Sequence, residues 1–191
     1  MPLLGRDTRL IVLDRDGTLN ADPEDYIRDP EQWVPLPGAL EAVARLNHGG
    51  FRVVIASNQT GLGRGLFDVA TLNAVHARMH KLLAAAGARV DAVFFCPHAP
   101  EDDCDCRKPA PGLYLDIAQR WGLAPAQMIA VGDSVRDAQA AVAAGCEAHL
   151  VLSGRSAGYT VQHPPSDLPA GVQVHSDLGA VADAILARNP T

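Results

Sequence analysis

The chain has 191 residues, 48% of them hydrophobic, with a mean hydropathy of +0.03 and a formal net charge of −6. Such a length buries a core without help from disulfides or a partner, and no apolar run approaches the roughly 18–20 residues that a bilayer requires. The acidic balance carries no basic stripe, which argues against a nucleic-acid binder; the start Met1-Pro-Leu-Leu-Gly-Arg-Asp7 shows no basic region followed by a long apolar core, so a single cytoplasmic domain over 1–191 is expected.

Arg9–Leu13 reads as a first strand, since Leu10-Ile-Val-Leu13 is apolar and partly β-branched in the manner of a buried parallel strand. It delivers Asp14, Asp16 and the turn Gly17-Thr18 to its carboxyl end, where open α/β sheets place their ligands. Two acids at that point can divide a phosphoryl reaction, one attacking beside a cation and the other moving a proton. A long connection, Asn20–Pro37, follows. Gly38–His48 reads as a helix with Leu40, Val43, Ala44 and Leu46 on one face, ended by Gly49-Gly50. Phe51–Ala56 is a second strand running into Ser57-Asn58-Gln59-Thr60-Gly61, whose hydroxyls, amides and backbone donors suit phosphate oxygens. Gly61-Leu-Gly-Arg-Gly65 fits either a phosphate loop or a flexible turn.

Asp68–Ala86 is a longer helix with Asp68 as its N-cap and Gly87 as its stop. Val90–Phe95 is a third strand, and Pro111–Trp121 a helix with proline at its start. Between them a second long connection, Cys96–Pro111, carries Arg107-Lys108-Pro109; long connections at sheet ends tend to carry function. Gln127–Val131 is a fourth strand ending in Gly132-Asp133-Ser134, and Asp137 follows. A helix over Val135–Ala144, a strand over Ala148–Leu152, a surface loop over 155–170, a weaker strand at Val172–Val174 and a helix over Leu178–Ala187 complete the chain.

This alternation predicts an α/β fold of three layers, a mostly parallel sheet between helices, with right-handed crossovers. There is no internal repeat or second domain. Parallel strands gather their ends at one edge, which brings Asp14, Asp16, Asp133, Asp137, Ser57, Arg107 and Lys108 around one crevice. Carboxylates in that number suit a hard, oxygen-seeking cation such as Mg²⁺, and a cation beside a lysine suits a phosphoryl group. Lysine is scarce here, Lys81 and Lys108 standing against fourteen arginines, so Lys108 reads as a compact point charge kept for the site. Asp137 reads as an acid of the helix N-terminus in preference to a direct metal ligand.

A second metal signal lies in the Cys96–Pro111 connection. Cys96-Pro-His98 and Cys104-Asp-Cys106 place three thiols and an imidazole within residues 96–106, the ligand set of a closed tetrahedral Zn²⁺ site. Disulfides are the alternative, disfavoured by the interleaved histidine and by a cytoplasmic setting. Four protein ligands leave no open position, so this zinc would be structural. It would staple the loop that ends at Arg107-Lys108 and preorganise those cations. Cys146 reads as a buried apolar thiol.

Asp14-x-Asp16-Gly-Thr18, Ser57-Asn58, the isolated Lys108-Pro109 and Gly132-Asp133-x-x-x-Asp137 together resemble the four motifs of the haloacid dehalogenase superfamily of phosphohydrolases, in order, over roughly residues 9–137. The resemblance implies its Rossmann-like fold, with Asp14 as the nucleophile that forms an aspartyl-phosphate. Asp16 would be general acid to the leaving alkoxide and then general base for water. Mg²⁺ would be held by Asp14, the backbone carbonyl of Asp16, and Asp133, while Ser57 and Lys108 would stabilise the transferring oxygens.

The loop Cys96-x-His98…Cys104-x-Cys106-Arg-Lys-Pro109, with Asp14-Arg-Asp-Gly-Thr18 and Ser57-Asn-Gln-Thr-Gly61, is similar to the D-glycero-D-manno-heptose-1,7-bisphosphate 7-phosphatases and their histidinol-phosphatase relatives. That likeness implies release of the C7 phosphate of the heptose bisphosphate, a step toward ADP-heptose and the lipopolysaccharide core. Two departures bear on substrate preference: a short stretch between the zinc ligand pairs, and Ser134 where the heptose enzymes often carry lysine. Asn20–Pro37 is too short for a large cap domain, so the crevice is expected to be open. Recognition then falls to Asp22, Glu24 and Asp25 for sugar hydroxyls, to Ser57, Asn58, Gln59, Thr60, Lys108 and Ser134 around the phosphate, and to Arg107, with Arg64 as alternative, for a remote anion.

Histidinol phosphate, a cation facing the acidic loop, stays open as the other substrate. Phospho-accepting receiver domains share the sheet, acids, hydroxyl and lysine. They signal without turnover, however, whereas Asp16 beside the nucleophile promotes it, and receivers have no reason for a zinc loop. A zinc-stapled interaction module without catalysis leaves the coincidence of Asp14, Asp16, Ser57, Lys108 and Asp133 unexplained. No helix suggests obligate assembly, so a monomer is expected.

Overall fold

The computed structural model describes residues 10–22 and 25–188. Arg9, the expected first residue of the first strand, and Glu24, an expected sugar contact, lie outside the described residues.

All four side chains of β1 (Leu10–Leu13) are buried. The strand pairs in parallel with β2 (Arg52–Asn58) on one side, Leu10 opposite Arg52, and with β4 (Met128–Gly132) on the other, Leu10 opposite Met128. With β3 (Ala92–Cys96), β5 (Glu147–Val151) and β6 (Gln173–His175), these form a six-stranded parallel sheet in the order β3-β2-β1-β4-β5-β6. The order reverses between β1 and β4, the point where a crevice opens above the strand ends.

Side chains alternate across a strand, so each inner strand feeds two cores. Ile11, Leu13, Val53, Ile55, Val131 and Val151 join one cluster with α1 (Ala39–His48), α3 (Val69–Ala85) and α6 (Leu178–Ala187). Leu10, Val12, Val54, Ala56, Met128, Ala130 and Ala148 join another with α4 (Gly112–Trp121) and α5 (Val135–Ala144). Burial on both faces is why the strands read as unbroken apolar runs. The three-layer parallel fold expected from the sequence is the one observed.

The expected bounds of α5 and α6 coincide with the structure. β2 runs further than its apolar residues, because Ser57 and Asn58 still pair with Phe95 and Cys96 of β3. One element is a correction. Within the glycine-rich segment a short helix, α2 (Thr60–Gly63), replaces the expected loop or flexible turn. Its glycines serve close packing: a Cβ on Gly63 would stand 2.7 Å from the Pro97 carbonyl oxygen and 2.8 Å from the Ala99 nitrogen. Among its described residues the connection from β1 to α1 forms a 3₁₀ turn, Pro30–Gln32, and no large cap, and it is pinned by the fully buried Trp33. No helix among the described residues is long and apolar enough to cross a membrane.

Candidate active site

A cavity of about 430 Å³ opens at the carboxyl ends of the central strands. Asp14 continues the strand pairing, its N–H donating to the Val131 carbonyl at 2.8 Å, so the acid is fixed by the sheet. Lys108 arrives from far along the chain. Asn58 clamps it there: the Asn58 amide donates to the Lys108 carbonyl at 3.0 Å and accepts from the Lys108 N–H at 3.1 Å. The Lys108 ammonium donates to Asp14 Oδ1 at 2.7 Å and to the Ala56 carbonyl at 2.7 Å, and pairs with Asp137 Oδ1 at 2.6 Å. Three acceptors match the three protons of an ammonium, which lets a buried lysine stay charged.

Asp133 completes the group. Carboxylate oxygens of Asp14, Asp133 and Asp137 lie within 4.8 Å of one another, all buried. Burial, with the charges of Asp137 and Asp16, pushes the Asp14 carboxyl up to about 7 against the pull of Lys108. Burial and the charges of Asp14 and Asp137 push Asp133 up to about 8. Asp137 goes the other way despite its burial, held low by Lys108 and by hydrogen bonds from Ser134. Both the Ser134 N–H (3.0 Å) and its hydroxyl (2.5 Å) donate to Asp137 Oδ2. The backbone makes room for this crowding. Gly17 and Gly154 both adopt positive φ, and a Cβ on either would lie 2.2 Å from Asp133 Oδ2.

Asp16 is held quite differently. Arg15 grips both its oxygens at 3.0 and 2.8 Å, the Asn20 amide donates to Oδ1 at 2.9 Å, and the Gln59 amide donates to Oδ2 at 3.1 Å. Although burial opposes it, these partners hold the Asp16 carboxyl below the usual carboxylate range. The Gln59 amide also donates to Ser57 Oγ at 2.8 Å, linking the acid–base candidate to the hydroxyl expected on the phosphate. Behind Arg15, the ring nitrogen Nε2 of His76 accepts from the guanidinium at 3.2 Å. Burial and the neighbouring Arg15 charge lower His76 to about 4, so the ring is neutral.

The Cys96–Pro111 connection folds as a knot of thiols. Sulfur atoms of Cys96, Cys104 and Cys106 are separated by 3.1 to 3.6 Å, and His98 Nδ1 lies 3.6 Å from Cys96 Sγ and 3.3 Å from Cys106 Sγ. All four cysteines of the chain are free thiols. Zn–S bonds of about 2.3 Å in a tetrahedron put sulfurs about 3.8 Å apart, so the ligand set fits zinc with slight expansion. The loop's last residues enter the cavity, where Arg107 donates to Thr60 Oγ1 at 2.5 Å and to the His98 carbonyl at 3.4 Å.

An acid pair, a strand-end hydroxyl, a lysine and a metal-sized acid cluster thus meet in one crevice. The family model for haloacid dehalogenase-like hydrolases matches residues 11–145, which span every one of these groups. The chain belongs to the haloacid dehalogenase-like hydrolases. It is 51% identical to the D-glycero-beta-D-manno-heptose-1,7-bisphosphate 7-phosphatase of Bordetella bronchiseptica, over 93% of this chain and 98% of that protein. It is 44% identical to the protein of that name from Pseudomonas aeruginosa, over 93% and 97% of the two chains. The crystal structure of D,D-heptose 1,7-bisphosphate phosphatase from B. bronchiseptica, complexed with magnesium and phosphate, superposes with a TM-score of 0.89 at 50% identity, covering 95% of this chain and 99% of that one.

The crevice of this hydrolase contains Asp14, Asp16, Ser57, Lys108, Asp133 and Asp137 as expected. Asn58, Gln59, Thr60, Arg64, Arg107 and Ser134 also line it. Their polar groups are largely engaged by the protein: Asn58 clamps the Lys108 backbone, Thr60 receives Arg107, and Ser134 donates to Asp137. Asp22 and Asp25 line the opening. Three lining arginines escaped the sequence reading: Arg15, Arg136 and Arg155. Arg15 lay within the acid motif itself, between two aspartates, and a cation at that spacing was the available signal. Arg155 fell in the segment read as a surface loop. It is tied to the site, for its N–H donates to Asp133 Oδ2 at 2.7 Å.

Proposed function

We propose that this chain is a phosphoric monoester hydrolase that removes the C7 phosphate of D-glycero-D-manno-heptose 1,7-bisphosphate, a step toward lipopolysaccharide-core precursors. The observation that carries the reaction class is the buried trio of Asp14, Asp133 and Asp137 around the Lys108 ammonium. The names of relatives 40–51% identical over most of the chain support the substrate.

Asp14 is the nucleophile: a carboxylate oxygen attacks phosphorus and the bond to the sugar oxygen breaks, leaving an aspartyl-phosphate. Asp16 gives a proton to the departing alkoxide, then takes one from the water that cleaves the aspartyl-phosphate. Arg15, Asn20 and Gln59 hold Asp16 as a carboxylate at rest, the form that the second step uses; the first step uses its protonated form. Lys108 and Ser57 donate to the phosphoryl oxygens. Asp14, Asp133 and the Asp16 carbonyl would hold Mg²⁺, which offsets repulsion between carboxylate and phosphate. The donor set fits, since burial and mutual repulsion raise the Asp14 and Asp133 carboxyls, and a divalent cation would relieve that repulsion.

Cys96, His98, Cys104 and Cys106 would hold a structural Zn²⁺ that fixes Arg107 and Lys108. Asp22, Glu24 and Asp25 are assigned to sugar hydroxyls, and Arg107, with Arg64 as alternative, to one side of the space for a remote anionic group. Arg155, which meets Asp22 at 3.5 Å, and Arg136 bring positive charge to the cavity beside the Asp22 loop, which favours a bisphosphate over the cationic histidinol phosphate. The setting of this reading is a cytoplasmic monomer.

A phosphate-release screen over sugar bisphosphates, histidinol phosphate and nucleotides tests the assignment. The heptose bisphosphate is expected to lead. A tenfold preference in kcat/KM for histidinol phosphate, about 1.4 kcal/mol, would sink it.

A further inference from the structure

The cavity carries cations on both flanks of Asp14. On the β2–β3 side stand Arg107 and Arg64. Arg107 is tied to Thr60 and the His98 carbonyl, and Arg64 donates to the Tyr26 hydroxyl at 3.2 Å. On the β4–β5 side stand Arg136, in the first turn of α5, and Arg155, in the turn after β5. The acid–lysine centre uses neither side chain. Arg136 is half-buried and lines the cavity, and among the described residues its side chain makes no hydrogen bond or ion pair. A guanidinium that has lost part of its hydration without a replacing acceptor is a standing demand for an anion.

Arg155 is placed by its backbone. Its N–H donates to Asp133 Oδ2 at 2.7 Å, and Ser153 Oγ donates to the Gly17 carbonyl at 2.6 Å. The turn is thereby locked both to an acid of the metal cluster and to the loop after β1, so the arginine stands at a set distance from the reacting centre. Its guanidinium meets Asp22 at 3.5 Å with 61% of the side chain exposed. Such an exposed pair contributes little and yields readily to a phosphate that an arginine fork can hold through two hydrogen bonds. Asp22, paired with Arg155, lines the same cavity as Arg136.

We propose that Arg136 and Arg155 form a second anion subsite that holds the non-scissile phosphate of a sugar bisphosphate from the β4–β5 flank, while the scissile phosphate lies on Asp14. The inference rests on the phosphatase reading above and adds to it the residues that make the second phosphate count. In this arrangement Asp22, released from Arg155, turns to the sugar hydroxyls, and Arg107 forms the opposite wall.

The test compares heptose 1,7-bisphosphate with heptose 7-phosphate on the Mg²⁺-loaded wild type, Arg136→Gln, Arg155→Gln, the double variant and Arg107→Gln, with thermal unfolding confirming that each is folded. The ratio of kcat/KM for bisphosphate over monophosphate is expected to fall at least tenfold in Arg136→Gln and further in the double variant, mostly through KM. A preference for the bisphosphate that survives intact in the double variant and collapses in Arg107→Gln overturns the subsite alone. So does an equal loss on both substrates. A wild-type ratio near one defeats the substrate reading and the subsite together.

Discussion

At the scale of single residues, the site is a problem of crowded charge. Asp14, Asp133 and Asp137 share one buried space with a single lysine, and burial sets the carboxyls of Asp14 and Asp133 up at about 7 and about 8. A buried acid pushed this far above its ordinary value costs the fold stability near neutral pH. Asp14→Asn should therefore leave thermal stability of the metal-free protein equal to or above that of the parent, while phosphate release falls below detection. Retained activity of even a few per cent removes Asp14 as the nucleophile. The two acids of the motif look alike in the sequence, yet the structure gives them opposite environments. Asp16 has a guanidinium and two amides on its oxygens, and Asp14 has a lysine shared with a competing carboxylate. The contrast comes partly from neighbours in the chain, Arg15 and Asn20 on Asp16, and partly from the remote Gln59 and Lys108.

At the scale of elements, the connection from β3 to α4 carries a thiol–imidazole cluster and two cations of the crevice in one segment. Cys96 is the last residue of β3 and fully buried, so the thiol cluster is rooted in the sheet, and Arg107 and Lys108 follow its last thiol directly. Protein purified without added metal should contain about one equivalent of zinc by elemental analysis. Chelation should speed amide exchange at 104–110 and lower kcat by at least tenfold, because the lysine then loses its anchored approach. Protein that is metal-free yet fully stable and active removes the staple. This loop was legible in the sequence because thiol and imidazole spacing is itself the signal. α2 was not, since two of its four residues are glycines, poor helix formers. Packing against Pro97–Ala99 and Phe67 decides its conformation. The polar end of β2 was missed for a related reason: pairing with β3 keeps Ser57 and Asn58 extended, whatever their hydropathy.

At the scale of the whole molecule, the active-site floor and the α1–α3–α6 layer are joined through one buried contact. His76, on α3, accepts a hydrogen bond from Arg15, whose other donors hold Asp16. The bond requires neutral imidazole, and burial with the Arg15 charge lowers the histidine from about 6.5 to about 4. An unfolded chain binds this proton more readily than the folded one. The stability His76 contributes is thus complete above about pH 6.5 and is lost as pH falls toward 4, on the order of 3 kcal/mol by pH 4. Urea unfolding midpoints measured from pH 7 to pH 4 should fall steeply in the parent and less so in His76→Gln. Parallel curves for the two proteins would show that other groups carry the acid sensitivity.

The sequence by itself determined the three-layer α/β class, because strands buried on both faces must be apolar throughout and helices buried on one face must be periodic. It also determined most of the groups that meet in the crevice, because parallel strands bring their carboxyl ends together whatever their order. Only the tertiary structure decided how those groups are charged and which cations share the crevice. The pairing of Lys108 with Asp14 and Asp137, the reach of Gln59 to Asp16, and the arrival of Arg136 and Arg155 on the far flank all depend on side chains meeting across segments. Hydropathy and spacing record what lies near along the chain. Burial and counter-charge are set by what lies near in space.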